Sequence, residues 1–229
     1  VPSDPIHPDH AQREQARLRL AGDQSPDPRD AREMHLVEAI RAGDQTAWAE
    51  LLGGYQHRIY SICLRMIGDR EIAADLTQDA MVKIIQGMDR FDARSKLSTW
   101  IYRVTMNVCL THLRARKHRT MGSLDAAGLD DSGSARSAGL RQSREPTAER
   151  SVQESGRQHD LGEALLTLSE EHRAILILRD ARQLEYDIIA EVLGIAVGTV
   201  KSRLFRARTA LRRALEAAGT EGASEPGQT

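Results

Sequence analysis

Aromatic residues are scarce in this chain, with two Trp, four Tyr and two Phe among 229 residues. Sheet-rich cores draw on aromatic and β-branched side chains, so this scarcity, in a chain rich in Ala, Leu, Arg and Glu, argues for helices. Proline is absent from 29–145 and from 147–225, while five of the seven prolines fall within the first 28 residues. Two long stretches are therefore free of the residue that most surely breaks a helix. Only two cysteines occur, Cys63 and Cys109, too few for a disulfide framework and consistent with a reducing cytosol. No apolar run approaches the ~18 residues of a membrane span, and the polar N-terminus lacks the apolar core of a signal peptide. The expectation is a cytoplasmic, all-α protein without membrane insertion.

Composition also divides the chain. Residues 1–30 hold prolines and charges of both signs and read as a flexible leader. Residues 120–158 are rich in Ser, Gly, Arg and Asp and lack aromatics, so they bury too little apolar surface to offset their ordering entropy and read as a flexible linker. Residues 218–229 read as a similar tail. Two small helical domains remain, 31–119 and 159–217.

In the first, Trp48, Leu51, Leu52, Tyr55, Ile59, Ile62, Cys63 and Met66 recur at helical spacing behind an Asp44 cap. Cys63 reads as a small apolar member of this stripe. Gly68 and Asp69 mark a turn and a second cap. The next helix carries Ile72, Leu76, Ala80 and Ile84 on one stripe, with Met81, Ile85 and Met88 beside it. Asp75, Gln78, Asp79, Lys83 and Gln86 lie on its other face. After the loop FDARSKL, a third helix starts near Ser98, with Leu97, Ile101, Val104 and Val108 inward and Arg103, Asn107, Thr111 and Arg114 on another face. From Ile101 to Arg119 there are five Lys or Arg and no acid.

The second domain ends in LEYDIIAEVLGIAVGTVKSRLFRARTALRRAL. A short apolar helix, a break at Gly194 and a basic second helix form the layout of a DNA-binding helix-turn-helix. Gly198 to Arg213 holds six basic side chains and no acidic one, in a chain of net charge -1. Ser169 reads as an N-cap, followed by Glu170 and Glu171 in the favoured first turn. Ala174, Ile175, Ile177, Leu178, Ile189, Ala190, Val192 and Leu193 are expected in the core. Val200 and Leu204 should face inward.

Two blocks resemble the extracytoplasmic-function sigma factors, bacterial initiation subunits of RNA polymerase. DREIAADLTQDAMVKIIQGMDRFDARSKLSTWIYRVTMNVCLTHLRARKHR is similar to sigma domain 2, and LSEEHRAILILRDARQLEYDIIAEVLGIAVGTVKSRLFRARTALRRAL to sigma domain 4. The resemblance implies that Asp75, Gln78 and Asp79 dock on the clamp coiled coil of the largest polymerase subunit, with the flap as a further contact. It implies that Phe91, Arg94, Ser95, Lys96, Arg103, Asn107 and Arg114 serve −10 recognition and melting, the loop capturing a flipped base. Asn107 offers a donor and an acceptor to a base, and Arg103 and Arg114 suit phosphate. Trp100 is open between base stacking and core, with core favoured. Thr199, Lys201, Ser202, Arg203, Phe205 and Arg206 match the −35 readers. Phe205 is open between thymine methyls, the sugar–phosphate surface and packing.

The resemblance further implies three partners: core RNA polymerase, promoter DNA and an anti-sigma factor. One departure stands out. Glu185 occupies a cap position where relatives carry Ser or Thr, and Glu is the poorer cap. The alternative function is a stand-alone helix-turn-helix regulator that binds duplex DNA without polymerase, which leaves DLTQDA and FDARSKLSTW without a role. An enzyme is not expected, since no phosphate-cradling glycine loop occurs. No cofactor or metal is expected either. Cys109 and His112 lie one helical turn apart, but no further ligand stands at suggestive spacing.

Overall fold

The computed structural model describes residues 28–126 and 159–221. Most of the expected leader, most of the linker and the end of the tail lie outside the described residues. Every regular element among the described residues is helical, and no helix there is long and apolar enough to cross a membrane. The all-α expectation holds.

The chain divides into two compact units, Val1–Trp48 and Ala49–Thr229. The first contains α1, Pro28–Arg41, and the start of α2, Gln45–Ile67. Between them Asp44 caps α2 as expected, accepting bonds from the Thr46 amide at 2.8 Å and hydroxyl at 2.7 Å. These bonds favour the carboxylate and hold Asp44 below the usual carboxylate range.

In the second unit, α2 buries Leu51, Tyr55, Ile59, Ile62, Cys63 and Met66, the stripe read from the sequence; Leu52 is half-buried. Asp69 caps α3, Arg70–Gly87, accepting from the Glu71 and Ile72 amides at 2.9 and 3.0 Å. Helix α3 buries Leu76, Ala80 and Ile84 and packs on α4, Leu97–Ala126. Beside that stripe Met88 is buried, Met81 half-buried and Ile85 44% exposed. Helix α4 buries Leu97, Ile101 and Val108, while Val104 is half-buried. Thr77 and Thr105, both buried, donate their hydroxyls to the Ala73 and Ile101 carbonyls of their own helices, so neither is left unsatisfied.

Helix α5 covers residues 159–167, and α6 covers Glu170–Leu176 behind the Ser169 cap. A wide turn of helix, Ile177–Ala181, leads into α7, Tyr186–Leu193, and α8 follows from Val197 to Glu221. Ala174, Ile175, Ile177, Leu178, Ile189, Ala190 and Val192 are buried as expected, and Leu193 is half-buried. Helices α6 and α7 pack on α8, and both also meet α4. The two sequence blocks thus lie against one another within one unit.

Candidate nucleic-acid interface

Gly194 ends α7 in the left-handed region at φ +66, a conformation that costs glycine little and most residues far more. The Ile195 amide bonds back to the Ala190 carbonyl at 3.0 Å, and α8 opens with the Thr199 and Val200 amides on the Ala196 carbonyl. The tight turn fixes α8 across α7. Val200, Leu204 and Ala207 form the inner stripe, at 0%, 3% and 0% exposure. That stripe leaves Lys201, Ser202, Phe205 and Arg206 outward, with Thr199 and Arg203 half-buried at the flanks.

Phe205 is 75% exposed, which removes core packing from its possible roles in this unit. A large ring in water on the basic face of a helix suits a surface of methyl groups and sugars. Arg206 folds along its helix toward Ser202, with Nε 3.3 Å from the Ser202 carbonyl. Arg203 differs from its neighbours. Its Nη2 lies 3.0 Å from Glu171 Oε2, and its side chain is 23% exposed. Arg208 pairs with Asp180 at 2.6 Å, and that carboxylate raises the Arg208 pKa. Neither pairing is legible in sequence, since the partners stand on α6 and on the turn after it.

The other basic face lies on α4. Arg103 is half-buried, and Asn107, Thr111 and Arg114 are exposed at steps of three and four residues, one helical face as read from the sequence. The loop before α4 is built on Phe91, which is 2% exposed with its ring 5.5 Å from the Trp100 ring. Phe91 therefore sits under the loop, and Trp100, half-buried, closes the same cluster. Above them Ala93 takes φ +57, and Arg94 bonds Asp92 through its amide at 3.2 Å and its Nε at 3.1 Å. Ser95 is half-buried and Lys96 exposed.

On α3, Asp75, Gln78 and Asp79 are all exposed. Val82 and Ile85, 48% and 44% exposed, continue along the helix from that patch. The sequence reading missed this apolar extension. Two apolar residues within two turns of an acidic patch were the signal available.

The family description "Sigma-70 region 2" matches residues 51–119, and "Sigma-70, region 4" matches residues 158–211. The ECF RNA polymerase sigma factor SigW of Bacillus subtilis is 30% identical over 184 residues, 78% of this chain and 94% of SigW. The RNA polymerase sigma-H factor of Pseudomonas aeruginosa is 34% identical over 194 residues, 80% of this chain and 94% of that protein. Among solved structures, the sigma factor RpoE of Bartonella quintana, in complex with the anti-sigma factor NepR, shares the fold. It has a TM-score of 0.56 at 24% identity, covering 73% of this chain and 96% of that one. CnrH, in complex with the cytosolic domain of CnrY, has a TM-score of 0.56 at 20% identity, covering 80% and 96%. Two sigma regions in family order, each with its basic helix face turned to solvent, leave one conclusion: the chain belongs to the ECF RNA polymerase sigma factors.

Proposed function

We propose that this sigma factor binds core RNA polymerase and directs promoter-specific initiation through three faces of the described residues. Asp75, Gln78 and Asp79, extended by Val82 and Ile85, form the polymerase-docking face on α3. Arg103, Asn107 and Arg114 on α4, with Arg94, Ser95 and Lys96 of the loop, take the −10 element. Phe91 supports that loop from beneath, and the bond cost of unstacking a base, a few kcal/mol, is met by contacts made to the extruded nucleotide. Thr199, Lys201, Ser202, Arg203, Phe205 and Arg206 on α8 take the −35 element in the major groove. Phosphodiester chemistry belongs to the polymerase, and the chain itself acts as an initiation factor rather than an enzyme. An anti-sigma factor is the expected negative partner, as in the complex of RpoE with the anti-sigma factor NepR. Its work is on the polymerase, which places it in the cytoplasm.

The observation that carries this reading is the pairing of an outward basic recognition helix with an exposed acidic-apolar face on α3, a surface that a simple duplex-DNA binder has no use for. Run-off transcription with core polymerase on a library of promoter fragments tests it. Transcripts from a consistent two-element motif are expected. Changing Asp75, Gln78 and Asp79 to Ala should abolish them while leaving duplex binding by the chain intact. If the altered chain binds duplex DNA and drives transcription as well as the original, the docking assignment fails. If the unaltered chain binds duplex DNA but never core polymerase, the stand-alone regulator takes its place.

A further inference from the structure

The whole sequence has two cysteines, 46 positions apart, and the fold brings them together. Cys63 on α2 and Cys109 on α4 are both 0% exposed, and their sulfurs lie 3.7 Å apart. That is van der Waals contact, so the two side chains already point at one another across the helix pair. A bond needs the sulfurs to close to ~2.05 Å, a shift that side-chain torsions and slight helix movement can share. Neither thiol has a part in the polymerase- or DNA-facing surfaces described above. We propose that Cys63 and Cys109 are an intramolecular redox pair, converted by a small hydroperoxide into a disulfide that ties α2 to α4.

The chemistry balances without a cofactor. The Cys63 thiolate attacks one peroxide oxygen, the O–O bond breaks, and the leaving hydroxide takes a proton to become water. Cys63 is then a sulfenic acid. Cys109 attacks its sulfur, the S–OH bond breaks, and a second water leaves with the Cys109 proton. Two thiols and one hydrogen peroxide give one disulfide and two waters, the sulfur pair losing two electrons and the peroxide gaining them. The order of attack follows the environment. The Cys109 thiol donates toward Cys63 Sγ, which lowers the Cys63 pKa against its burial. The same bond and burial push the Cys109 thiol up. Full burial excludes bulky reagents and makes the rate depend on local opening between the helices. A dithiol reductant reverses the step.

With two cysteines in the sequence, an internal disulfide has one possible pairing, and peptide mapping separates it from oxidation of the six methionines. The 229-residue chain is treated with hydrogen peroxide, denatured under acid, and weighed, and its free thiols are counted. The expected result is a monomer lighter by two hydrogens with both thiols lost together, restored by dithiothreitol. Peptide mapping should join the fragment holding Cys63 to that holding Cys109. The oxidised monomer should also unfold at higher urea than the reduced one, since the cross-link restricts the unfolded chain. Cys63→Ala and Cys109→Ala should each abolish the mass loss. The proposal is overturned if the monomer keeps two free thiols under peroxide that oxidises glutathione. It is equally overturned if the products are sulfinic acids or disulfide-linked dimers. The mass readout uses the unaltered protein and so does not depend on either variant folding.

Discussion

The Arg173 guanidinium donates to the carbonyl of Met66, a residue 107 positions earlier in the chain. The same side chain, 7% exposed, donates to the carbonyls of Leu165 at 2.9 Å, Leu166 at 2.7 Å and Leu168 at 3.0 Å. Met66 lies in the last turn of α2, and Leu165 to Leu168 span the end of α5 and the residue after it. Carbonyls from two helix C-termini are thus gathered on one cation, that of Leu165 also accepting from the Leu168 amide, and the charge complements both helix dipoles. Burial pushes the Arg173 pKa down, but it remains far inside the charged range of a guanidinium.

Arg173→Met is therefore expected to destabilise the folded chain by about 2–4 kcal/mol, because several buried carbonyls lose their donor at once. Arg173→Lys should lose less, keeping the charge but not the planar fork. Urea unfolding monitored by far-UV circular dichroism measures both. Equal stability of the Met variant and the original would mean that water replaces the guanidinium.

Gly68 stands at φ +81 in the turn between α2 and α3, and a Cβ there would lie 2.3 Å from Leu166 Cδ1. Gly68→Ala combines a strained backbone with a clash, and a loss of about 1–3 kcal/mol is expected. Pairing it with Leu166→Ala separates the two causes. Recovery of part of the loss in the double variant assigns that part to the clash.

The helix caps predict opposite signs. Asp69 holds two amides of α3, and Asp69→Ala should cost about 1 kcal/mol. Glu185 at the start of α7 makes no side-chain cap bond, as its chemistry suggested. Its carboxylate, 75% exposed, instead lies 3.5 Å from the half-buried Arg179, a solvent-screened pair worth little. Glu185→Ser should accordingly raise stability by about 0.5–1 kcal/mol, read as a higher Tm. A lower Tm would show that the Arg179 contact outweighs the missing cap.

The recognition helix allows stability and binding to be separated. Phe205 is 75% exposed, so Phe205→Ala should leave unfolding within about 0.5 kcal/mol of the original. Binding of a −35 duplex should weaken by about 1 kcal/mol as apolar contact is lost. Salt titration carries the electrostatic half. If α8 and its surroundings neutralise about four to six phosphates, the log-log slope should lie near −4 to −5, and Lys201→Ala should reduce it by about 1. A slope near zero would turn the basic face toward another partner.

Much of this was legible in advance because it is local. Helical period placed Leu51, Tyr55, Ile59 and Ile62 inward and Asn107 and Arg114 outward. Asp44, Asp69 and Ser169 announced helix starts through bonds made within three residues. Phe91 was harder: the family pattern attaches it to the DNA-reading loop, and only its burial in tilted contact with Trp100 shows the ring to lie below that loop. Arg203 reads as one more exposed cation, yet Glu171 holds it from another helix.

Sequence by itself determined the helices, their caps, their inner faces and the membership of the family, because each depends on spacing along one element or on motifs within one block. Tertiary structure alone decided which side chains meet across elements. Arg173 in α6 carries no mark that distinguishes a surface cation from one that closes two helix ends. Nor does either cysteine announce the other, since contact between residues far apart in the chain is set by how helices pack, and packing is a property of the whole core.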